Sequence, residues 1–318
     1  MMKYRAPLIA EKIPVVCLMG PTATGKTDAA AQLYDSIDAE IISVDSSLVY
    51  TDMNIGTAKP DVDFLAKYPH HLVNVRHPNE SYSVADFFND CGALIREITA
   101  RGRVPVLAGG TMFYFSAIEN GLSELPQADS QLRARISEEA NSLGWPALHQ
   151  RLAVLDPQSA HRIDSMDAQR IQRALEIVLA GGKPVSEHNV NRKLPIANPI
   201  VKIALSFSDR RILHNRIAQR FDIMLEQGLE DEVRTLLLNG VDVDASSMRM
   251  IGYRQMLEYI QGDCTYERMR EKGIVATRQL AKRQLTWLRN QSNLIWWVDH
   301  GLETKEFQDL VTLVKQIV

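Results

Sequence analysis

Gly20-Pro21-Thr22-Ala23-Thr24-Gly25-Lys26-Thr27 is the stretch that decides the fold. It fits the phosphate-loop pattern G-x-x-x-x-G-K-[ST]. An apolar, β-branched run at 13–19 precedes it and a helical pattern at 26–36 follows, which is the context the pattern requires. Gly20 and Gly25 let the backbone bend so that successive N–H groups face inward and cradle phosphate oxygens. Thr22, Ala23 and Thr24 complete that cradle. The following helix adds its positive N-terminal end. Lys26 supplies a point charge for the terminal phosphate. The Thr27 hydroxyl is a hard oxygen donor suited to Mg²⁺. The loop therefore implies a bound di- or triphosphate, without saying that it belongs to ATP.

Working outward, further strand patterns stand at 41–44, more weakly at 71–75, and at 104–108. Helical patterns run from Ser83, a candidate cap, to about Ala100, and again from Met112. Strands alternating with helices imply βαβ units and a parallel sheet. Between 129 and 181 the pattern is helical only, with Asp129 and Asp167 as candidate N-caps and Gly181-Gly182 as a stop. A linker with Pro184, Pro195 and Pro199 follows at 182–199. A strand at 200–207, long helices to about Arg289, a strand at 293–298 and a helix at 304–318 close the chain. The fold class is α/β, a P-loop NTPase-like parallel sheet flanked by helices with a helical insertion domain. The expected domains are a core at 1–126, the insertion at 127–198 and the second part of the core at 199–318.

Composition narrows the function classes. The 318 residues are 45 % hydrophobic and 24 % charged, which excludes disorder, collagen and rod-like coiled coils. Lys and Arg number 36 against 39 Asp and Glu, a net charge of −3, so any polyanion must bind a local patch. Cys17, Cys91 and Cys264 form neither a disulfide framework nor a zinc pattern. No apolar run reaches the roughly 18 residues of a membrane span. Residues 1–14 lack the apolar core of a secretory signal. The expectation is a cytoplasmic protein without a membrane partner.

A typical P-loop ATPase carries a Walker-B Asp at the end of an apolar strand, but here 104–108 runs into Gly109-Gly110-Thr111. Asp45 does close a strand, 18 residues after Thr27. Strand C-termini of a parallel sheet line the ligand crevice. A carboxylate there can serve as a base, a metal partner or a helix cap.

Several stretches together carry a resemblance. They are Asp45-Ser46-Ser47-Leu48-Val49-Tyr50, Ile55-Gly56-Thr57-Ala58-Lys59-Pro60, Pro69-His70-His71-Leu72, Ser81-Tyr82-Ser83 with Ala85-Asp86-Phe87, and Gly109-Gly110-Thr111-Met112. Later come Gln169-Arg170-Ile171-Gln172-Arg173-Ala174-Leu175-Glu176, Ile251-Gly252-Tyr253-Arg254-Gln255, and the long run from Ala276 through Gln284 to Arg289. From about Ile13 to Trp297 the chain resembles the bacterial tRNA dimethylallyltransferases. One departure is Leu48, where many members carry Gln.

The resemblance implies transfer of a dimethylallyl group from dimethylallyl diphosphate to the exocyclic amine of an adenosine. That adenosine lies immediately 3′ of the anticodon in tRNAs reading codons that begin with U. On this reading Gly20, Thr22, Ala23, Thr24, Gly25, Lys26 and Thr27 hold a leaving diphosphate, with Mg²⁺ on Thr27. Asp45 matches the family's general base, Thr111 a residue near the reacting base, and Arg220 an arginine near the diphosphate. Arg170 and Arg133 are expected near the tRNA. The target base leaves its stack to enter the pocket, with Asp45, Ser46, Ser47 and Leu48 receiving it and the insertion clamping the anticodon stem-loop from the other side. The family also implies a monomer.

Charge supports an RNA partner. Between 248 and 289, Arg249, Arg254, Arg268, Arg270, Lys272, Arg278, Lys282, Arg283 and Arg289 face only Glu258, Asp263, Glu267 and Glu271. Arg278, Lys282 and Arg289 fall within about 40° on a helix, and Ala276, Leu280 and Trp287 form a separate stripe expected to pack on the core. Such cations position a phosphate backbone without reading its bases. Together with the resemblance, the expected tRNA contacts are Asp45–Leu48 (45–48), Thr111, Arg133, 169–173, Arg249, Gly252, Tyr253, Arg254, Arg278, Lys282, Arg283 and Arg289. Three alternatives stand beside this: an isopentenyltransferase acting on free adenine nucleotides, an ATP-dependent small-molecule kinase, and a non-catalytic RNA-binding switch. His70, His71 and His77 have no acidic or Cys partner at ligand spacing and are expected as hydrogen-bonding histidines.

Overall fold

The computed structural model describes residues 12–123, 125–126, 129–185, 187, 192–298, 311–312 and 314–316. In chain order the elements are β1 (Val15–Met19), α1 (Lys26–Ser36), β2 (Ala39–Val44), α2 (Val62–Lys67), β3 (His70–His71), α3 (Val84–Ala100), β4 (Val104–Gly109) and α4 (Met112–Asn120). Then come β5 (Leu122–Ser123), α5 (Ser130–Leu143), α6 (Trp145–Leu155), α7 (Pro157–Arg162), α8 (Ala168–Gly181) and β6 (Arg192–Lys193). The last are β7 (Ile200–Ser206), α9 (Arg210–Glu226), α10 (Leu229–Leu238), α11 (Tyr253–Ile260), α12 (Tyr266–Arg289) and β8 (Leu294–Val298). The expected helix at 304–318 lies largely outside the described residues, although Val311 and Val314 are buried.

The chain divides into two compact units, 1–119 with 195–318, and 120–194. The larger is the expected α/β core. Its sheet has the order β3-β2-β4-β1-β7-β8, and all pairings are parallel. Both faces are covered, so the central strands read as continuous apolar runs. Every residue of β1 is buried. Val16, Leu18, Ile41 and Val106 pack with Ala29, Ala30 and Leu33 of α1. On the other face Cys17, Met19, Ile42, Val44 and Leu107 join Phe87, Phe115, Phe221, Tyr253 and Met269.

The caps behave as their chemistry dictates. Ser83 and Asp86 form a reciprocal capping box at α3. Asp129 and Asp167 accept from backbone N–H groups at α5 and α8, and Gly182 ends α8 in the left-handed conformation. Two expectations need correction. The strand at 71–75 is only His70–His71, because Leu72 and Asn74 take φ of 63° and 56° and leave the extended region. The linker at 182–199 contains β6, which pairs antiparallel with β5 inside the smaller unit. That unit packs its own core from Ile136, Leu148, Leu152, Ile171, Ala174 and Leu175.

Candidate active site

The phosphate loop leaves β1 and turns into α1 through two left-handed residues, Ala23 (φ 66°) and Gly25 (φ 85°). The Thr24 hydroxyl and the Lys26 ammonium both donate to the Pro21 carbonyl, at 2.9 and 2.7 Å. Arg216 Nε ties the Ala23 carbonyl at 2.9 Å. Burial, and then the nearby Arg220 charge, push the Lys26 ammonium down to about 8, against the pull of Asp45. Burial also lowers the Arg220 guanidinium, which Asp45 opposes. Arg220 has no hydrogen-bond partner among the described residues. Two crowded cations with one nearby carboxylate make a seat for a polyanion.

Asp45 follows β2 directly. Its Oδ1 accepts from the Ser47 N–H at 2.9 Å and the Ser47 hydroxyl at 2.6 Å. Its Oδ2 has no hydrogen-bond partner among the described residues and is free to accept a proton. Thr111, past the end of β4, accepts from the Ser46 N–H at 3.0 Å and bonds the Val44 carbonyl through its own N–H at 3.1 Å. It thus braces the segment that presents Asp45. Gly109 permits this closeness: a Cβ there would stand 2.0 Å from the Val44 carbonyl oxygen.

The Ile55–Lys59 motif (55–59) and the Gly252-Tyr253 motif meet on Glu232, which the sequence reading missed. One Glu232 oxygen accepts from the Asn54 and Ile55 N–H groups at 2.8 and 2.7 Å. The other accepts from the Gly56 N–H at 3.1 Å and the Tyr253 hydroxyl at 2.6 Å. Lys59 adds bonds to the Tyr50 carbonyl, Asn54 and Asn74, and burial pushes it down to about 8. These charge-assisted bonds make 53–59 a fixed wall rather than a loose loop.

Gln284 was also missed as a functional residue. Its Oε1 accepts from the Thr22 N–H at 3.1 Å and its Nε2 donates to the Gly110 carbonyl at 2.8 Å. It is buried, and a Cβ on Gly110 would stand 2.5 Å from its Nε2. One other buried group stands out. The Ser43 hydroxyl, on β2, has no partner among the described residues. Such a group costs about 1–3 kcal/mol and calls for an explanation.

These parts line one cavity of about 560 Å³. It takes in Thr22, Ala23, Lys26, Thr27, Asp45, Ser46, Ser47, Leu48, Thr111, Arg220, Gly252, Tyr253 and Arg283 from the expected set. Its apolar wall includes Met112, Phe113, Ile217, Phe221, Met224, Leu280 and Trp287. A second cavity of about 350 Å³ also touches Ala23, Lys26, Thr27 and Arg220, and adds Gly25. Gly20 and Thr24 sit beneath the loop: a Cβ on Gly20 would stand 2.7 Å from the Leu205 carbonyl oxygen.

Several expected RNA contacts are corrected. Ile171 is fully buried in the smaller unit's core and presents no surface to a partner. Tyr253 is likewise buried, its hydroxyl committed to Glu232, so it shapes the wall rather than touching RNA. The helix stripes also differ. Ile274, Ala281, Leu285 and Leu288 of α12 are buried in the core, Trp287 packs against it as expected and also lines the cavity, and Leu280 lines the cavity. Arg278 is half-buried, with Nη2 toward the His214 carbonyl at 3.4 Å. Arg254, Lys282, Arg283 and Arg289 are exposed, and Arg249, also exposed, bonds the Asp244 carbonyl. Arg268, Arg270 and Lys272 are neutralised by Glu271, Asp222 and Glu258. In the smaller unit, Arg133 and Arg173 converge on the buried Glu176, and Gln172 bonds Ser137. Gln169 and Arg170 remain exposed, Arg170 within 3.4 Å of Asp167. His70 bonds the Tyr68 carbonyl, His71 pairs with Glu40, and His77 accepts from the Asn79 N–H.

A family profile described as IPP transferase matches residues 48–291. The chain belongs to the IPP transferase family. The profile covers most of the chain and spans Thr111, Glu232, Gly252 and Gln284. The enzyme is therefore a transferase, as its motifs led us to expect. It is 54 % identical to a tRNA dimethylallyltransferase of Thiobacillus denitrificans over 278 residues, 87 % of this chain and 89 % of that one. It is 56 % identical to the tRNA dimethylallyltransferase of Aromatoleum aromaticum, covering 86 % of each. Among solved structures, the tRNA isopentenylpyrophosphate transferase of Bacillus halodurans matches with a TM-score of 0.70 and 36 % identity, over 96 % of this chain and 97 % of that one. A eukaryotic dimethylallyltransferase acting on tRNA matches with a TM-score of 0.79 and 25 % identity, over 96 % and 79 %. The IPP transferase core is thus the expected P-loop-like parallel sheet. No described helix is long and apolar enough to cross a membrane.

Proposed function

We propose that the enzyme transfers a dimethylallyl group from dimethylallyl diphosphate to N6 of the adenosine immediately 3′ of the anticodon, in tRNAs reading codons that begin with U. The observation that carries this reading is the arrangement around one cavity: Lys26, Arg220 and Asp45 line it together, and Thr111 holds the segment that carries Asp45. The names of the relatives support the same reaction.

In the reaction, the bond between the allylic carbon and the diphosphate oxygen breaks, and a bond from that carbon to N6 forms. Lys26, Arg220 and the loop amides stabilise the negative charge that develops on the departing diphosphate. The adenine amine is a weak nucleophile because its lone pair is delocalised into the ring. Asp45 takes the proton that N6 loses, at the Oδ2 atom that no neighbour occupies. The apolar wall of Met224, Phe221 and Trp287 suits the dimethylallyl group and shields it from water. Mg²⁺ fits the donor set here, since Thr27, a hydroxyl residue, lines both cavities and Ser43 has an oxygen unpaired among the described residues. When bound, it neutralises diphosphate charge as a Lewis acid.

Backbone contacts of the tRNA fall to Arg249, Arg254, Lys282, Arg283 and Arg289 in the larger unit. Gln169, Arg170 and the outer edges of Arg133, Gln172 and Arg173 serve in the smaller one. The enzyme works as a cytoplasmic monomer. The test compares acceptors. Incubation with dimethylallyl diphosphate, Mg²⁺ and either an unmodified anticodon stem-loop or adenosine monophosphate is followed by mass spectrometry. A five-carbon gain on the stem-loop adenosine supports the proposal. Gain on the mononucleotide alone replaces it with the free-nucleotide reaction.

A further inference from the structure

Ser43 is 2 % exposed and is among the residues of the main cavity with Lys26, Thr27 and Asp45, and its buried hydroxyl has no partner among the described residues. Its neighbours explain why. Ser43 pairs in register with Ala108 on β4, the strand next to the phosphate-loop strand β1. Alternation along β2 puts Ser43 on the same face as Ile41, which packs against α1, the helix that Lys26 and Thr27 open. Phosphate-loop enzymes that handle a metal nucleotide place an aspartate near this position to hold the ion. Here β4 ends in Ala108-Gly109, and the small side chain of Ala108 offers the buried hydroxyl of the next strand no hydrogen-bond partner.

We infer that Ser43 is an outer contact of the cation that accompanies the diphosphate. Mg²⁺ keeps several waters when it binds between a hydroxyl and phosphate oxygens. The Ser43 oxygen hydrogen-bonds one of them and so satisfies its own unpaired valence. A neutral hydroxyl suits this site better than an aspartate. Asp45 already brings one negative charge to the cavity, and a second would oppose the diphosphate. Ser43 is thus a positioning residue for the metal, with no contact to the reacting carbon. The inference rests on the reading of the cavity as a diphosphate seat.

The test is equilibrium binding, independent of turnover. Mn²⁺, the paramagnetic stand-in for Mg²⁺, is titrated by electron paramagnetic resonance into the full-length protein saturated with inorganic pyrophosphate. Pyrophosphate alone is titrated by calorimetry without metal. Ser43→Ala is expected to weaken Mn²⁺ in the ternary complex by about 10-fold, the low end for loss of an outer contact. It is expected to leave metal-free pyrophosphate affinity unchanged and to keep or raise the thermal stability of the metal-free protein, since it removes a buried unpaired hydroxyl. Thr27→Ala, which removes the direct ligand, should weaken Mn²⁺ more. Unchanged Mn²⁺ affinity in Ser43→Ala, equal weakening of pyrophosphate without metal, or a destabilised Ser43→Ala protein would each overturn the inference. If the unmodified protein binds pyrophosphate neither with nor without Mn²⁺, the diphosphate seat itself fails, and that result is distinct from the others.

Discussion

Gln284 and Thr22 lie 262 positions apart in the chain, yet the side-chain oxygen of Gln284 takes the Thr22 N–H at 3.1 Å. With its amide nitrogen on the Gly110 carbonyl, Gln284 locks α12 to both the phosphate loop and the glycine turn after β4. Gln284→Leu leaves a part-buried N–H and a buried carbonyl unpaired, and the buried one costs about 1–3 kcal/mol. Urea unfolding is expected to show a loss in that range, with a raised KM for the allyl donor. Gln284→Glu keeps the acceptor but sets a buried carboxylate oxygen against the Gly110 carbonyl, so it should also destabilise the protein. Equal stability of all three proteins would contradict this role.

Asp45→Asn retains an oxygen acceptor for the Ser47 N–H but cannot take a proton from N6. Turnover is expected to fall by about 10²–10⁴-fold, the usual range for a general base, while tRNA affinity is kept. Filter binding alongside single-turnover kinetics separates the two. Normal turnover would remove Asp45 from the chemistry.

Lys26 is pushed down to about 8 by burial and the Arg220 charge. The cation is therefore present below that pH and is lost as pH rises through it. Donor affinity of the free enzyme should be flat from about pH 6 to 7 and decline above about 8. Bound diphosphate favours the charged form, so binding near pH 8.5 should take up a proton, seen as a buffer-dependent calorimetric heat. Proton release there would contradict the assignment. Lys26→Ala should weaken the donor at every pH.

The basic helix divides into two kinds of residue. Lys282 and Arg289 are exposed, so Lys282→Ala with Arg289→Ala should weaken tRNA binding and reduce its salt slope by about two. Arg278 is half-buried against α9, with its Nε unpaired. Arg278→Ala should change stability more than the salt slope. The reverse pattern would place Arg278, not its neighbours, on the RNA.

Much of this was legible in the chain because it is local. The phosphate loop is contiguous, and its strand and helix flank it directly. Parallel strands buried on both faces announce themselves as apolar runs, and the caps Ser83, Asp129 and Asp167 act within their own turns. The place of Asp45 at the cavity was legible because it directly follows such a strand. The missed features act over distance. Glu232 gathers the backbone of 54–56 and the Tyr253 hydroxyl, and nothing in an acidic first turn of α10 distinguishes it from an ordinary charge favouring a helix N-terminus. Gln284 reads as one polar position among several on a basic helix. Leu280 and Trp287 line the cavity, Trp287 while packing against the core, and periodicity alone cannot tell a cavity wall from a core. The short strand β3 shrank because left-handed residues are not visible in composition.

The central claim is that the phosphate loop holds a leaving allyl diphosphate. The most direct measurement incubates the enzyme with unmodified tRNA, Mg²⁺ and radiolabelled dimethylallyl diphosphate, in parallel with ATP labelled on its γ-phosphate. The account predicts allyl label in tRNA and no release of the γ-phosphate. Turnover of ATP with no label in tRNA would contradict it and return the loop to nucleotide chemistry.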